Sequence, residues 1–386
     1  MIIGIIGSGA MGTGIAQVAA QAGHEVFIYD TNDAALTLSQ HKLEATFLKL
    51  VEKGKFTADL AAEILTRIKF EDNLRAFSNC GLVIEAIVER LDAKRSVFGT
   101  LEEIVTSDCI LATNTSSLSI AAISAKLKNP ERMLGIHFFN PAPLMPLVEI
   151  IPSLQTAPEV TLTAEALIKS WNKVTVLAKD TPGFIVNRVA RPFYSEAIKL
   201  YEEGLADIAT IDWAMREIGG FRMGPFELTD LIGHDVNYVV TETVWTQFYY
   251  DPRFKPSITQ KRLLESGLLG RKTKRGFYDY REGSSKAAPN TDQKLGQEIV
   301  DRVLALLINE AIDAVFMQIG TAKDIDLAMT KGVNYPKGLL QWANEIGLET
   351  VLNRLTELHS FYGDDRYRPN PLLRRMVAEN QSFQLS

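Results

Sequence analysis

The chain has 386 residues, of which 46% are hydrophobic and 23% are charged, and its formal net charge at pH 7 is −6. This composition is typical of a globular protein, and the length predicts two or three domains. The acidic balance argues against nucleic acid or a membrane surface as partner, and no apolar segment approaches the length that spans a bilayer. Two cysteines, Cys80 and Cys109, exclude a disulfide framework and fit a reducing compartment, so a cytoplasmic location is expected.

The beginning of the chain predicts a dinucleotide-binding turn. An apolar strand, a helix of small residues (12–23) and a second strand follow one another within residues 2–30. Gly7, Gly9 and Gly12 have the GxGxxG spacing, which allows a tight turn, close approach to a pyrophosphate and close helix–strand packing. Asp30 would accept hydrogen bonds from ribose hydroxyls and repel a 2′-phosphate, so NAD is favoured over NADP. A tight turn that binds no nucleotide is the alternative.

Further strands and a helical insert complete a predicted α/β domain at residues 1–181. Apolar residues at helical spacing place the insert at residues 36–68. Strands alternating with helices indicate an open, mostly parallel, Rossmann-like sheet. Thr181 is expected to cap the next helix, with Pro182 in its first turn. Either a phosphorylated substrate arm or a solvated helix face would explain four lysines near the bend of the insert: Lys42, Lys49, Lys53 and Lys55.

The rest of the chain is dominated by helical periodicity and repeats at an offset of 114 residues (302 minus 188). We therefore predict two all-α repeat domains, at residues 182–281 and 296–386, joined by a polar linker. The second copy has no counterpart of residues 270–278 and carries Asp301 where the first has Asn187. These differences predict one active site per chain. The aligned segments include 187–189 with 301–303, 196–197 with 310–311, and 212–215 with 326–329.

One histidine and one glutamate are the candidates for catalysis. His137 ends an apolar run, and Glu149 lies in the next, twelve residues later (149 minus 137). A single histidine in such a place is more often structural, but polar residues 114–117 (NTSS) follow a strand, where ligands of these folds bind. Asn187 follows in the next domain. A base that titrates near neutral pH, a carboxylate that orients it and a nicotinamide cofactor can oxidise a secondary alcohol.

Together these motifs resemble the (3S)-3-hydroxyacyl-CoA dehydrogenase family over essentially the whole chain. The tandem helical copies and residues 187–197 most resemble the branch that serves phenylacetate degradation and short-chain hydroxyacyl-CoA oxidation. The resemblance rests on the glycine motif and on residues 85–89 (EAIVE), 114–117 (NTSS), 137–141 (HFFNP), 181–188 (TPGFIVNR) and 223–228 (MGPFEL).

The resemblance implies roles for individual residues. His137 is the implied catalytic base and Glu149 its orienting partner, while Ser116 and Asn187 contact the substrate oxygens. The implied substrate is a short-chain or dicarboxylic acyl-CoA, such as 3-hydroxybutyryl-CoA or 3-hydroxyadipyl-CoA. The residues implied around NAD are Gly7, Gly9, Ala10, Met11, Gly12, Asp30, Ala86, Glu89, Lys94, Asn114 and Asn140.

Two residues depart from the family pattern and bear on contacts to the acyl-CoA. Pro146 stands where many relatives have a lysine, and Lys274 replaces a glycine. Family members with one helical domain form dimers through it. The second copy here is expected to dock on the first, which gives either a monomer with an internal pseudo-dimer or a homodimer.

Two other functions compete with this interpretation. One is an NAD enzyme for a small β-hydroxyacid, although such enzymes typically place a lysine base where this chain has Asn187. The other is a non-catalytic NAD-binding structural protein, similar to a lens crystallin. That alternative leaves unexplained why His137, Glu149, Ser116 and Asn187 occur together.

Overall fold

The structure, a computed structural model, describes residues 1–385, and the chain divides into two units, Met1–Thr181 and a second that begins at Pro182. The strands of the first unit form one eight-stranded sheet in the order β3-β2-β1-β4-β5-β6-β7-β8, in which only β6 and β7 pair antiparallel. This confirms the predicted mostly parallel sheet. The strands are β1 (Ile2–Ile6), β2 (Glu25–Tyr29), β3 (Ile68–Glu71), β4 (Leu82–Glu85), β5 (Ile110–Thr113), β6 (Met133–Phe138), β7 (Leu147–Pro152) and β8 (Val174–Leu177).

Helices α2 and α3 form the predicted helical insert. Asn32 caps α2, since its side chain accepts hydrogen bonds from two backbone N–H groups of the first turn, and Thr57 caps α3 in the same way. The helices of the first unit are α1 (Ala10–Gln21), α2 (Asp33–Glu52), α3 (Ala58–Thr66), α4 (Leu91–Glu102), α5 (Ile120–Ser124) and α6 (Pro158–Ser170).

Two predicted boundaries in this unit are wrong. Helix α1 begins at Ala10 and not at residue 12, because Gly9 takes the extended conformation of an N-cap. Ile68 was expected in a helix but begins β3, where it pairs with Val26 of β2 and is buried. Ile68 is in a strand because it pairs with a neighbouring strand, and a local sequence pattern does not show such pairing.

The central strands are continuous apolar runs because helices cover both faces of the sheet. Every residue of β4, β5 and β6 is buried. Polar side chains within such strands must find partners, since burying an unpaired polar group costs free energy. The polar residues buried in these strands and in β7 are Glu85, Thr113, His137 and Glu149.

The second unit is helical, which confirms the predicted class. The prediction that Thr181 caps a helix starting at Pro182 is wrong, because α7 begins at Val186 and the Thr181 hydroxyl donates to the Lys179 carbonyl oxygen. Positive φ at Phe184 breaks the helical path before it. The helices are α7 (Val186–Val189), α8 (Arg191–Glu202), α9 (Ile208–Trp213), α10 (Pro225–Ile232), α11 (His234–Gln247), α12 (Ile258–Glu265), α13 (Gln293–Phe316), α14 (Ala322–Gly332), α15 (Leu339–Ile346), α16 (Leu348–Tyr362) and α17 (Pro371–Ala378).

Within this unit the second copy packs on the first through α13 and α8. Arg188 Nε donates to Glu310 Oε1 at 2.7 Å, and Arg302 Nε donates to Glu196 Oε1 at 2.5 Å. Arg302 is the repeat equivalent of Arg188, and Glu310 is that of Glu196, at the same offset of 114 residues (302 minus 188, 310 minus 196). Each copy therefore gives the other the same ion pair, as the two subunits of a twofold-symmetric dimer do.

Candidate active site

The predicted cofactor residues lie at one edge of the sheet in the first unit. They follow the carboxyl ends of β1, β2, β4, β5 and β6, apart from Lys94 on α4. The strand order reverses between β1 and β4, and ligands of open α/β sheets bind at such a switch point. In chain order the residues are Gly7, Gly9, Ala10, Met11, Gly12, Asp30, Ala86, Glu89, Lys94, Asn114 and Asn140.

The glycine turn after β1 fits a dinucleotide pyrophosphate. A Cβ at Gly12 would lie 1.8 Å from the Gly7 carbonyl oxygen, so only glycine permits this packing. A Cβ at Gly9 would meet no atom within 4 Å, so this position opens onto free space that a side chain would fill. Gly9 is also the N-cap of α1, whose first N–H groups have no partner within the helix and can bind an anion placed there.

Asp30 is tied to this turn by hydrogen bonds. Its Oδ2 accepts from the Ser8 backbone N–H at 2.8 Å and from the Ser8 hydroxyl at 2.9 Å. Its Oδ1 accepts from the Asn32 backbone N–H at 3.0 Å. The carboxylate thus shapes the glycine turn in addition to its predicted ribose contact. Ser8 was not singled out from the sequence, although its hydroxyl inside the GxGxxG motif was a signal.

His137 and Glu149 face each other across the antiparallel pair of β6 and β7. They are directly opposed in the register, and directly opposed residues point to the same face of a sheet. His137 Nδ1 lies 2.6 Å from Glu149 Oε2. Glu149 is fully buried and His137 is 5% exposed. Nδ1 is the ring nitrogen that faces the glutamate, and Nε2, on the other side of the ring, faces away from it.

A buried ion pair connects α4 to the end of β4. Lys94 Nζ donates to Glu85 Oε1 at 2.6 Å and lies 3.2 Å from Glu89 Oε2. Lys94 is only 1% exposed, so it acts on its surroundings through these two carboxylates. Thr113 Oγ1 donates to the other oxygen of Glu85 at 2.7 Å. Glu85 belongs to one of the family motifs, but the sequence analysis did not predict it as a site residue. The sequence does not indicate that Glu85 pairs with Lys94.

Glu89 organises the loop that carries Ser116. Its Oε1 accepts from the Thr115 hydroxyl at 2.6 Å and from the backbone N–H groups of Ser116 and Ser117 at 2.9 and 3.2 Å. Burial alone would raise the pKa of Glu89, but the charge of Lys94 and these hydrogen bonds hold it below its usual value. Ionised Glu89 therefore fixes the backbone on which Ser116 is held.

Asn114 and Asn140 flank His137 in different ways. Asn114 Oδ1 accepts from the Phe138 backbone N–H at 2.8 Å, which ties the end of β5 to β6. Asn140 is exposed and precedes the cis peptide bond to Pro141. The Asn114 side chain thus has a structural contact next to the histidine, in addition to any contact with the cofactor.

The remaining candidates belong to other elements of the chain. Asn187 is the second residue of α7, in the second unit. All four lysines of the insert are exposed, which leaves both of their interpretations open: Lys42, Lys49, Lys53 and Lys55. Among residues 1–385, no group of three histidine, cysteine or acidic side chains could hold a metal ion. Over the same part of the chain, no helix has both the length and the apolar character needed to cross a membrane.

Comparison with protein families gives the same match in both units. Residues 2–181 match the model for the NAD-binding domain of 3-hydroxyacyl-CoA dehydrogenase. Residues 183–280 and 299–384 match the model for the C-terminal domain of the same enzyme. The model for one domain thus matches two stretches of the helical unit.

Individual relatives extend over nearly the full chain. A 3-hydroxyadipyl-CoA dehydrogenase of Escherichia coli is 38% identical, with 99% of this chain and 98% of that protein covered. A crystal structure of 3-hydroxybutyryl-CoA dehydrogenase from Escherichia coli has a TM-score of 0.94 and 37% identity, and 98% of each chain is covered.

A shorter relative matches only part of the chain. An (S)-3-hydroxybutyryl-CoA dehydrogenase from Ralstonia eutropha has a TM-score of 0.71 and 38% identity, covering 73% of this chain and 99% of its own. Its coverage fits a protein without the second helical copy. The chain belongs to the 3-hydroxyacyl-CoA dehydrogenase family of NAD-dependent oxidoreductases, as the sequence predicted.

Proposed function

We propose that the chain oxidises a (3S)-3-hydroxyacyl-CoA reversibly to the 3-oxoacyl-CoA, with a short-chain or dicarboxylic acyl group. 3-Hydroxybutyryl-CoA and 3-hydroxyadipyl-CoA are the proposed examples, after the substrates named for two relatives. The observation that carries the proposal is the buried pair of His137 and Glu149, 2.6 Å apart. A histidine held in this way at a dinucleotide-binding sheet is suited to take a proton from an alcohol.

His137 is the proposed general base. Its Nε2 removes the proton from the C3 hydroxyl, and bound NAD supplies the acceptor for the hydride that leaves C3. Glu149 accepts a hydrogen bond from Nδ1–H, which fixes the tautomer and stabilises the imidazolium formed by proton transfer. In the reverse direction the imidazolium returns the proton to the carbonyl oxygen.

Ser116 and Asn187 are the proposed contacts to the substrate oxygens. A hydroxyl and a carboxamide can both donate hydrogen bonds to a carbonyl oxygen on which negative charge develops. The hydrogen bonds from Ser116 N–H and its neighbours to Glu89 support a fixed position for the serine. Preorganised donors of this kind cost no reorganisation when the reaction occurs.

The proposed cofactor site is the glycine turn with Asp30. Asp30→Ala should raise the Michaelis constant for NAD about tenfold while the constant for the acyl-CoA changes little, because one charge-assisted contact is lost. Asp33→Ala, three residues later in the first turn of α2, is the matched control. An unchanged dependence on NAD in Asp30→Ala would refute the ribose contact.

Absorbance of NADH with acetoacetyl-CoA as substrate tests the proposed activity. Oxidation of NADH that depends on acetoacetyl-CoA is expected. Oxidation with free acetoacetate but not with the thioester would instead indicate an enzyme of small β-hydroxyacids. Binding of NADH without turnover of either compound would indicate a structural protein.

We also propose that the chain works as a monomer with an internal pseudo-dimer, with a homodimer as the alternative. The reciprocal ion pairs of the two copies support this, since they lie within one chain. Light scattering at low concentration should give a mass near 42.9 kDa. A mass that corresponds to an obligate dimer would overturn the proposal. Limited proteolysis tests the proposed repeat domains at 182–281 and 296–386, and it should cut in the exposed segment between them.

The proposed setting is phenylacetate degradation in the cytoplasm. A 3-hydroxyadipyl-CoA substrate, as named for one relative, and two free, buried cysteines support it. Deletion of the gene should abolish growth on phenylacetate and spare growth on acetate. Unimpaired growth on phenylacetate would contradict this setting.

A further inference from the structure

Arg191 is a buried cation whose side chain has spare hydrogen-bonding capacity. It is 5% exposed, and its Nη1 donates to the Thr241 hydroxyl at 3.0 Å. Its Nε has no hydrogen-bond partner among residues 1–385, and no carboxylate in that range forms an ion pair with it. An isolated charge in such a place is costly unless a partner of opposite charge compensates it.

The two other arginines buried between the helical copies are fully compensated. Arg188 pairs with Glu310 and Asp313, and Arg302 pairs with Glu196 and Glu203. Arg191 begins α8, three residues after Arg188 on α7, yet no acid in the part of the chain that the structure describes pairs with it. The missing anion is therefore a feature of the Arg191 position and not of the interface as a whole.

Two tyrosines complete a set of donors at this position. The guanidinium carbon of Arg191 lies 5.1 Å from the centre of the Tyr194 ring. The Tyr335 hydroxyl has no hydrogen-bond partner in residues 1–385, and both tyrosines are 6% exposed. Burial raises the pKa of both phenols, so they keep their protons and can donate. Phe193 and Phe221 pack against Tyr335 with ring centres 5.8 and 5.0 Å away.

The position of Arg191 relative to Asn187 suggests what the anion is. Asn187 lies on α7 and Arg191 and Tyr194 lie on α8, and Ala190 between the two helices keeps a right-handed helical conformation. Residues four and seven places further along such a path lie on nearly the same face, so Arg191 and Tyr194 lie on the face of Asn187. Four residues rise about 6 Å along a helix axis. In a 3-hydroxyadipyl group, three carbon–carbon bonds separate C3 from the terminal carboxylate carbon, a span of about 4 Å. Side chains on a helix are directed toward its N-terminus, so the long side chain of Arg191 is expected to make up the difference toward Asn187. If Asn187 contacts an oxygen near C3, as in the proposed function, the terminal carboxylate of the same substrate would lie next to Arg191.

The second copy of the repeat shows which residues occupy the equivalent helix face. The equivalents of Asn187, Arg191 and Tyr194 are Asp301, Ala305 and Ile308, again at an offset of 114. These three residues line a cavity of about 230 Å³ that residues of the second copy enclose together with Ile218 of the first. The same face thus encloses open space where the arginine is replaced by alanine, and the second copy offers no cation there.

We propose that Arg191, with the hydroxyls of Tyr194 and Tyr335, binds the terminal carboxylate of a dicarboxylic 3-hydroxyacyl-CoA and so selects this substrate over a monocarboxylic one. This inference rests on the proposed function. The planar guanidinium is suited to a carboxylate because it offers parallel N–H donors. A substrate with a terminal methyl group in place of the carboxylate would leave the charge uncompensated.

The test compares two substrates of equal length, 3-hydroxyadipyl-CoA and 3-hydroxyhexanoyl-CoA. They differ only in a carboxylate or a methyl group at C6. The native protein should show a kcat/KM at least about tenfold higher for the dicarboxylic substrate, because hydrogen bonds to charged groups discriminate at this level. Arg191→Met should abolish or reverse this ratio. Arg374→Met, which removes an exposed arginine of α17, should keep it.

A second variant keeps the test valid if Arg191→Met does not fold. Tyr335→Phe removes only a hydroxyl that has no partner, and it should lower the ratio a fewfold through a higher KM for the dicarboxylic substrate. A native ratio near one, or a ratio unchanged in both variants, would overturn the carboxylate site. Turnover of 3-hydroxyhexanoyl-CoA in that case would show that the proposed function still holds, whereas no turnover of either substrate would contradict the function itself.

Discussion

The two helical copies keep the residues that fold them and differ at the residues proposed for chemistry. In the first copy Asp212 accepts hydrogen bonds from the first turn of α10, and in the second copy Asp326 does the same for α15. The first copy has Asn187 where the second has Asp301, whose carboxylate is ion-paired with Arg354. The two copies thus share these packing contacts and differ at the position that is proposed to contact the substrate in the first copy.

The largest expected effect contrasts the two copies at this aligned position. Asn187→Ala should lower kcat about 10²- to 10³-fold, as the loss of one preorganised donor does in other enzymes. Asp301→Asn, at the equivalent position of the second copy, should leave kcat unchanged. Circular dichroism would show that both variants fold. Equal losses in the two variants would contradict the assignment of one active site per chain.

The reciprocal ion pairs predict equal costs in the two copies. Arg188→Met and Arg302→Met should each lower the free energy of unfolding by about 3–5 kcal/mol, since each removes the nearest cation from a buried carboxylate, Glu310 or Glu196. Urea denaturation measures the loss, and Arg374→Met serves as the exposed control. A large cost at one arginine and none at the other would mean that the interface lacks the proposed symmetry.

A smaller effect tests the packing that both copies share. A Cβ at Gly224 would lie 2.3 Å from Asp212 Cγ, and a Cβ at Gly338 would lie 2.2 Å from Asp326 Cγ. Each glycine-to-alanine change should destabilise the protein by about 1–3 kcal/mol through overpacking. Gly99→Ala, in a helix with open space around the new methyl group, should instead be neutral or stabilising. Thermal denaturation would show the difference.

The smallest effect concerns the segment that only the first copy has. Lys274, where the family pattern has glycine, adopts φ +59°, a left-handed conformation that side chains disfavour. Lys274→Gly should therefore raise the free energy of unfolding by up to about 1 kcal/mol. Lys274→Ala keeps the Cβ and should give no such gain. Equal stability changes in the two variants would show that the lysine side chain, and not the backbone, matters.

The sequence could predict the features that local patterns determine. The glycine turn, the apolar strands and the helical repeat all follow from short-range spacing, and the structure contains them. The family motifs also pointed to His137 and Glu149, which the strand register then brings together. Their catalytic roles, and those of Ser116 and Asn187, stay predictions.

Features that depend on residues far apart in the chain could not be predicted from the sequence. No local pattern says that Lys94 is buried against Glu85, or that Arg191 lies in the interior with no acid beside it. The expected helix start at Thr181 failed for a different reason. Its capping residues were present, but the positive φ of Phe184 delays the helix to Val186. Tertiary packing decides such cases over local propensity.

The central claim is that His137, held by Glu149, transfers the substrate proton. The most direct measurement is the single-turnover rate of NADH oxidation at saturating acetoacetyl-CoA in His137→Gln, with His41→Gln, an exposed histidine of α2, as the control. We expect His137→Gln to bind NADH as the native protein does and to react at least about 10²-fold more slowly, the usual contribution of a general base. A native rate in this variant, with NADH bound, would contradict the account.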